Sequence, residues 1–251
     1  MKISVITVCK NAETSLSKTI ESVFSQTYRD MEYLVVDGAS TDNTVAIIKE
    51  HAQRYSIKWT SESDSGIYQA MNKGVARATG EILFFLNSGD TFADKTVLSR
   101  IADEFEKKEV ELLYGNVIFT DDTGRSRVKR FDRVDRFFLF QETINHQSMF
   151  YAASIFKRIG GFHENYRIVA DYEHLCRMFA ARITARYLDM NICIYPMGGV
   201  SSKQENLALY HSERMRVREQ YFTRLETTLY SNRFYREARR LLRKSGVGIY
   251  G

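Results

Sequence analysis

The sequence predicts an α/β fold, a mostly parallel sheet flanked by helices, followed by a helical appendage. Two observations predict the sheet. Through the first 120 residues, short apolar strands alternate with amphipathic helices, the pattern of parallel strands joined by crossovers. Two of these strands run out into Asp, Asn and Gly, as in Asp37-Gly38 and Asn87-Ser88-Gly89-Asp90, at the end where open sheets of this class bind ligands. A third observation sets the appendage apart. Residues 203–251 carry eleven Lys/Arg and five Glu, a net of +6, leaving 25 basic and 26 acidic groups elsewhere.

Taken in order, Ile3 to Val8 is a first strand and Asn11 to Ser15 supply turn and cap chemistry. Leu16, Ile20, Val23 and Phe24 then repeat at helical spacing. Tyr33 to Val36 is a second strand, DGASTDNT a turn and cap, and Val45, Ile48 and Ala52 mark the next helix. Ile57 to Thr60 is a third strand. Tyr68, Met71, Val75 and Ala78 share a helix face, and after Gly80 the run Ile82 to Leu86 is a buried strand. A helix capped by Asp94 (Val97, Leu98, Ile101, Phe105) leads to a strand near Leu112 to Phe119. Residues 120–145 have no clean period and read as a loop-rich region. Helices follow over Ala153–Ile159 and about Asp171–Ala181, with Tyr172, Leu175, Met178 and Phe179 expected inward. Ala185 to Tyr195 should hold one or two short strands. Beyond Lys203, the spacing of Leu207, Tyr210, Val217, Tyr221, Leu225, Leu229, Phe234, Ala238, Leu241 and Leu242 predicts a helical hairpin or long helix with an arginine-rich outer face. The division expected is 1–202, with a ligand half to about 119 and a second half from 120, then 203–251.

Bulk properties narrow the class. The 251 residues are 44% apolar and 27% charged, ordinary for a globular protein and unlike a disordered one. No apolar run approaches the roughly 20 residues needed to span a bilayer, and MKISVITVCK does not read as a signal peptide. Cys9, Cys176 and Cys193 lack metal-ligand spacing and read as buried thiols of a reducing compartment, so a cytoplasmic protein is expected. No glycine-rich phosphate loop follows the first strand, which argues against a P-loop or dinucleotide site and against a nucleotidyltransferase.

Four aspartates stand where chemistry is expected. Asp37 and Asp64 each follow a strand; a carboxylate there accepts hydrogen bonds from a nucleobase or ribose, or else serves a turn. Asp90 either coordinates a hard divalent cation, Mg²⁺ or Mn²⁺, or precedes the next helix as a turn acid. Asp171 opens a helix as a candidate general base or as a first-turn acid complementing the dipole. His146 and Gln147 in NHQSMF, with Glu173, are candidates for the acceptor side, although a lone histidine such as His146 reads first as a packed ring.

ISVITVCKN, SVFSQTY, EYLVVDGASTDNT, ESDSGIYQAMNKGVARATGEILFFLNSGD, HQSMF, GGFHENYRIVADYEHLCR and GGVSS occur in an order covering about residues 3–202. This series resembles the family 2 nucleotide-sugar glycosyltransferases of the GT-A, Rossmann-like fold, in particular enzymes that build bacterial exopolysaccharide, colanic acid or lipopolysaccharide. The resemblance implies that Asp37 and Asp64 hold base and ribose, with the amides Asn72 and Asn87 on the donor nucleotide side. Asp90 would hold the metal and Asp171 would be the catalytic base. It also implies a UDP-, GDP- or dTDP-linked donor, a glycan or lipid-linked acceptor and inversion at the anomeric carbon. Where relatives often carry three acids in a DxDD-like run, this chain has Asn87, Ser88, Gly89 and one acid, Asp90.

A non-catalytic nucleotide-sugar-binding or scaffolding subunit, docked through the tail to a membrane assembly, is the alternative from another class. The basic tail itself reads as a solvated helix face or as a peripheral contact with anionic lipid through 203–251. Arg125, Arg127, Lys129 and Arg130, ahead of Phe137 to Phe140, offer a second lipid contact or an acceptor-diphosphate site. No nucleic-acid module accompanies the charge, so nucleic acid is not an expected partner.

Overall fold

The computed structural model describes residues 1–107, 109–121, 123–196 and 204–244. Four strands make the parallel half of one sheet: β1 (Ile3–Cys9), β2 (Met31–Asp37), β3 (Ile57–Ser61) and β4 (Ile82–Phe85), in the order β3-β2-β1-β4. β1 and β4 are buried at every position, as expected of strands covered on both faces. Helices α1 (Leu16–Phe24), α2 (Thr44–Ala52) and α3 (Ile67–Arg77) provide the crossovers. The pairings Cys9↔Asp37 and Asp37↔Ser61 line up the carboxyl ends of β1, β2 and β3. β2 and β4 flank β1, so the ends bearing Asp37 and Asn87 lie two strand spacings apart, about 10 Å.

The second half mixes strand directions. After β5 (Thr91–Phe92) and α4 (Val97–Lys107) come β6 (Leu112–Thr120), β7 (Ser126–Lys129) and α5 (Arg136–Gln141), then β8 (Met149–Ala152). β8 runs antiparallel between β4 and β6, pairing Phe84 with Phe150 and Leu113 with Phe150. Its direction brings its leading turn, His146–Ser148, to the carboxyl end of β4. The stacked Phe84 and Phe150 rings, 4.1 Å between centroids, hold this pairing. α6 (Ala153–Ile159), α7 (Ala170–Ala180) and β9 (Ala185–Pro196) complete the sheet, β9 pairing in parallel with β6 and antiparallel with β5.

Several expectations change in this half. The region 120–145 contains a strand and a helix, with Phe131, Phe138 and Phe140 buried. Residues 185–196 form one long strand, while β5 and β8 are additional. Phe179 is exposed, because burial along α7 ends at Met178.

The carboxyl end is three helices, α8 (Leu207–Tyr221), α9 (Arg224–Ser231) and α10 (Arg233–Lys244). Thr223 begins α9 with a reciprocal cap: its hydroxyl accepts from the Glu226 N–H while the Glu226 carboxylate accepts from the Thr223 N–H. The expected pattern of apolar residues inside and arginines outside does not hold. Arg214 is buried over the Tyr172 ring and Arg218 lies over Phe140, whereas Leu225, Phe234 and Leu241 face outward. The 202/203 boundary and the GGVSS segment fall outside the described residues. Among the described residues, no helix is long and apolar enough to cross a membrane.

Candidate functional site

At the β2 end, Asp37 is fully buried and its carboxylate is held from several sides. Ser61 Oγ donates at 2.6 Å, the Ser40 N–H at 3.0 Å, the Ser40 hydroxyl to the other oxygen, and the Cys9 thiol at 3.8 Å. Strand register explains the Ser61 and Cys9 contacts, since both residues pair directly with Asp37. Burial and the neighbouring Asp37 push the Cys9 thiol far above its ordinary range, so it stays protonated. Asp64 is half-buried and lies against the next residue, Gly38, where an added Cβ would come 2.5 Å from Asp64 Oδ2. Any larger side chain at 38 would displace that carboxylate. The two acids form one patch, Asp37 as its internal clasp and Asp64 as its more accessible member.

At the β4 end, α1 fixes the loop that carries Asp90. Thr19 Oγ1 donates to the Asp90 carbonyl at 2.8 Å and accepts from the Gly89 N–H at 2.9 Å. Ser15 and Ser88 hydroxyls meet at 2.9 Å, and Gly89 has a φ of 99°, a conformation suited to glycine. The Asp90 side chain is 3% exposed. Burial pushes its carboxyl up to about 7, against the opposing effects of His146 and a hydrogen bond from the Gln147 side chain. Its Oδ2 is buried without a hydrogen-bond partner, and so is Asn87 Oδ1.

His146 joins this loop to α7. Its Nε2 lies 2.9 Å from Asn87 Nδ2 and its Nδ1 lies 3.2 Å from Asp171 Oδ2. The amide N–H donates to Nε2, which leaves Nδ1–H to donate to the carboxylate, a tautomer assigned from the network. The other Asp171 oxygen receives the Tyr172 N–H at 2.9 Å and faces the Tyr68 hydroxyl at 2.9 Å. Burial raises the Asp171 carboxyl, but the His146, Tyr68 and Tyr172 hydrogen bonds outweigh it and hold the group below the usual carboxylate range. Asp171 is thus two hydrogen bonds and one ring away from the β4 end.

Other sequence candidates are committed elsewhere. Asn72, expected beside the donor nucleotide, clasps the Phe162 peptide instead: its Nδ2 donates to Phe162 O at 2.8 Å and its Oδ1 accepts from Phe162 N at 2.8 Å. Glu173, expected near the acceptor, is fully buried and binds Arg177 at 3.0 Å, His163 at 3.2 Å and the Tyr221 hydroxyl at 2.5 Å. It ties α7 to α8. The Gln147 side chain hydrogen-bonds to Asp90. A groove of 380 Å³ lined by Asn72, Phe162, His163 and Arg177 shares no residue with the Asp90–Asp171 cluster.

Two contributors carried no sequence signal. The Tyr68 hydroxyl lies 2.7 Å from the Ile168 carbonyl as well as beside Asp171, although spacing alone marked Tyr68 as a packing residue. Glu213 on α8, 2% exposed, accepts the N–H groups of Arg167, Ile168 and Val169 at 2.7, 2.9 and 3.2 Å. It thereby fixes the loop leading into Asp171.

The residues present fit a hard divalent cation. Among the described residues no group of three His, Cys, Asp or Glu side chains gathers to cage one. An ion that keeps several waters and binds substrate phosphate needs only one or two carboxylates, and Asp90 has a buried oxygen without a partner.

The family 2 glycosyl transferase model matches residues 4–185. The chain belongs to this family. An uncharacterized glycosyltransferase of Mycobacterium tuberculosis is 32% identical over 220 residues, 83% of this chain and 80% of the relative. A PGL/p-HBAD biosynthesis glycosyltransferase of Mycobacterium bovis is 34% identical over 204 residues, 79% of this chain and 78% of that protein. This family 2 glycosyltransferase also shares the GT-A fold with S. aureus TarS 1–349 solved with UDP-GlcNAc, at a TM-score of 0.70 and 18% identity, covering 90% of this chain and 73% of that one. Against a longer TarS structure it spans 46% of the length. A Pyrobaculum calidifontis mannosyltransferase solved with GDP-Man and Mn²⁺ has a TM-score of 0.63 at 17% identity over 87% of this chain and 61% of that one.

Proposed function

We propose that the chain transfers a sugar, with inversion, from a nucleoside diphosphate to a hydroxyl of a glycan or lipid-linked acceptor in bacterial surface polysaccharide synthesis. The observation that carries this reading is the line Asn87–His146–Asp171, which joins the end of β4 to the start of α7 in one cluster. The Asp37–Gly38–Asp64 patch, two strands away, is the place for the nucleoside, with Asp64 as the accessible acceptor for base or ribose and Asp37 shaping the loop. The diphosphate then lies at Asn87–Asp90 and the acceptor beside Asp171.

In the step itself, an acceptor hydroxyl oxygen attacks the anomeric carbon from the face opposite the diphosphate. The bond from that carbon to the phosphate oxygen breaks, its electron pair leaves with the diphosphate, and the hydroxyl proton passes to Asp171. A base held below the usual carboxylate range is ionised at neutral pH and ready to accept that proton. His146 and Tyr68 orient its two oxygens before substrate arrives, so little reorganisation accompanies transfer. A cation held by Asp90 would supply neutralisation of the charge on the departing diphosphate.

The relatives support the donor class without choosing the base, since one solved neighbour carries UDP-GlcNAc and another GDP-Man. The test is a panel of UDP-, GDP- and dTDP-sugars with Mn²⁺, read first as thermal stabilisation of the full chain and then as donor hydrolysis or transfer. The expected result is one donor class that both stabilises and turns over. Stabilisation with no turnover under any acceptor would mark a binding subunit, and neither effect from any donor would overturn the proposal.

A further inference from the structure

Several apolar side chains of the last two helices point away from the body. Of the eight large hydrophobic side chains exposed among the described residues, six lie between Leu207 and Leu241. Leu225 is 78% exposed and Phe234 80%. The arrangement follows a simple offset. In α9, Glu226 binds Arg136 and Tyr230 packs against Phe137 and Phe140. In α10, Tyr235 packs edge-on against Phe137 and Arg239 pairs with Asp135. One residue before each of these docked positions stands Leu225, Leu229, Phe234 or Ala238, rotated about 100° around its helix and exposed. Leu241 extends the Phe234–Ala238 face by another turn.

The same two helices are basic. Residues 224–244 hold seven Lys/Arg and two Glu, and Arg224, Arg233 and Arg236 are exposed. We propose that α9 and α10 form an interfacial surface that seats this chain on an anionic lipid bilayer, Leu225, Phe234 and Leu241 entering the boundary between headgroups and acyl chains while the arginines meet lipid phosphates. Single exposed apolar side chains on helices with a cationic flank suit an interface of this kind. A second copy of the chain would set one excess of positive charge against another, and the cores of protein interfaces are depleted in charge. This inference stands independently of the transfer reaction. The surface is nonetheless wired to the active cluster: α5 receives Tyr230 and Tyr235 on Phe137, and its Leu139 carbonyl accepts the Tyr172 hydroxyl, next to Asp171, at 2.8 Å.

The test is co-sedimentation of the full chain with vesicles of phosphatidylcholine alone and of phosphatidylcholine mixed with phosphatidylglycerol. Binding is expected to the mixed vesicles and to weaken as salt is raised. A Phe234→Asp, Leu241→Asp double variant should partition about tenfold less or worse, with an unchanged circular dichroism spectrum and melting point because both side chains already meet water. An Arg224→Gln, Arg236→Gln variant should lose roughly fivefold or more on mixed vesicles. Absence of wild-type binding to phosphatidylglycerol vesicles at low salt, or full binding by the Asp double variant, overturns the proposal. So does self-association that the Asp variant abolishes without any vesicle binding, which assigns the face to a second copy.

Discussion

Asp90 and Asp171 are two acids of one cluster with opposite electrostatics. Asp90 is buried and Asp171 half-buried, and desolvation alone raises both. At Asp171 both oxygens meet protein donors, from His146, Tyr68 and the Tyr172 N–H, and the balance falls below the usual carboxylate range. Asp90 has one oxygen without a partner and a carboxyl pushed up to about 7. The difference teaches a division of labour. The fold itself completes the environment of Asp171, whereas Asp90 keeps one unpartnered oxygen, the one our proposal gives to a cation.

Substitutions can break this contrast at either end. The largest effect is expected from Asp171→Asn, which keeps shape and removes the proton acceptor. Transfer should fall about 10²- to 10⁴-fold while donor affinity, measured by calorimetry with Mn²⁺, stays within about twofold. Near-normal turnover would remove the base assignment.

Asp90→Asn should do the reverse in binding, losing most of the cation-dependent part of donor affinity. Its stability effect has a definite sign. The folded value of about 7 lies above the ordinary 3.8, so the native state holds the proton more tightly than the unfolded chain. Cation-free stability is then greatest below the ordinary value, falls as pH rises through the window up to about 7, and levels off above it. At about 1.4 kcal/mol for each pH unit of that window, ionised Asp90 costs the fold a few kcal/mol. Asp90→Asn should flatten this slope and melt higher than wild type at pH 8 without cation, as scanning calorimetry would show.

A smaller effect sharpens the contrast from the middle. His146→Gln removes the ring that serves Asp171, so the base should titrate at higher pH. A decrease of about tenfold in kcat, little change in donor KM, and a shift of the acid limb toward neutrality are expected. The smallest effect on catalysis belongs to Asn72→Ala. Its hydrogen bonds go to the Phe162 backbone and the Glu164 carboxylate, and their loss should lower stability by about 1–3 kcal/mol while leaving donor affinity and kcat at neutral pH nearly unchanged.

The parallel half of the sheet was legible because its strands are continuous apolar runs and its helices keep a clean period. Asp37, Asp64 and Asp90 could be placed at strand ends from that alone. β8 was not legible: Met149–Ala152 is four residues long, buried on both faces and without alternation, and its partners lie far along the chain. With β8 unseen, the reason that His146 meets Asn87 was also unseen. Glu173 and Asn72 have chemistry suited to ligands, and only the fold shows their capacity already taken by Arg177, His163, Tyr221 and the Phe162 peptide. In the tail, helical spacing cannot say which way an apolar stripe faces. Tyr235 and Arg239 dock through ring and ion-pair contacts, which turns Phe234 and Leu241 outward.

The division between the two acids is tested most directly by the pH dependence of transfer at limiting and at saturating Mn²⁺. With Asp90 taking up the cation in place of a proton, the acid limb should lie near 7 when Mn²⁺ is scarce and move to lower pH as Mn²⁺ is raised, because metal and proton compete for one carboxylate. An acid limb that stays fixed across Mn²⁺ concentrations would contradict the account.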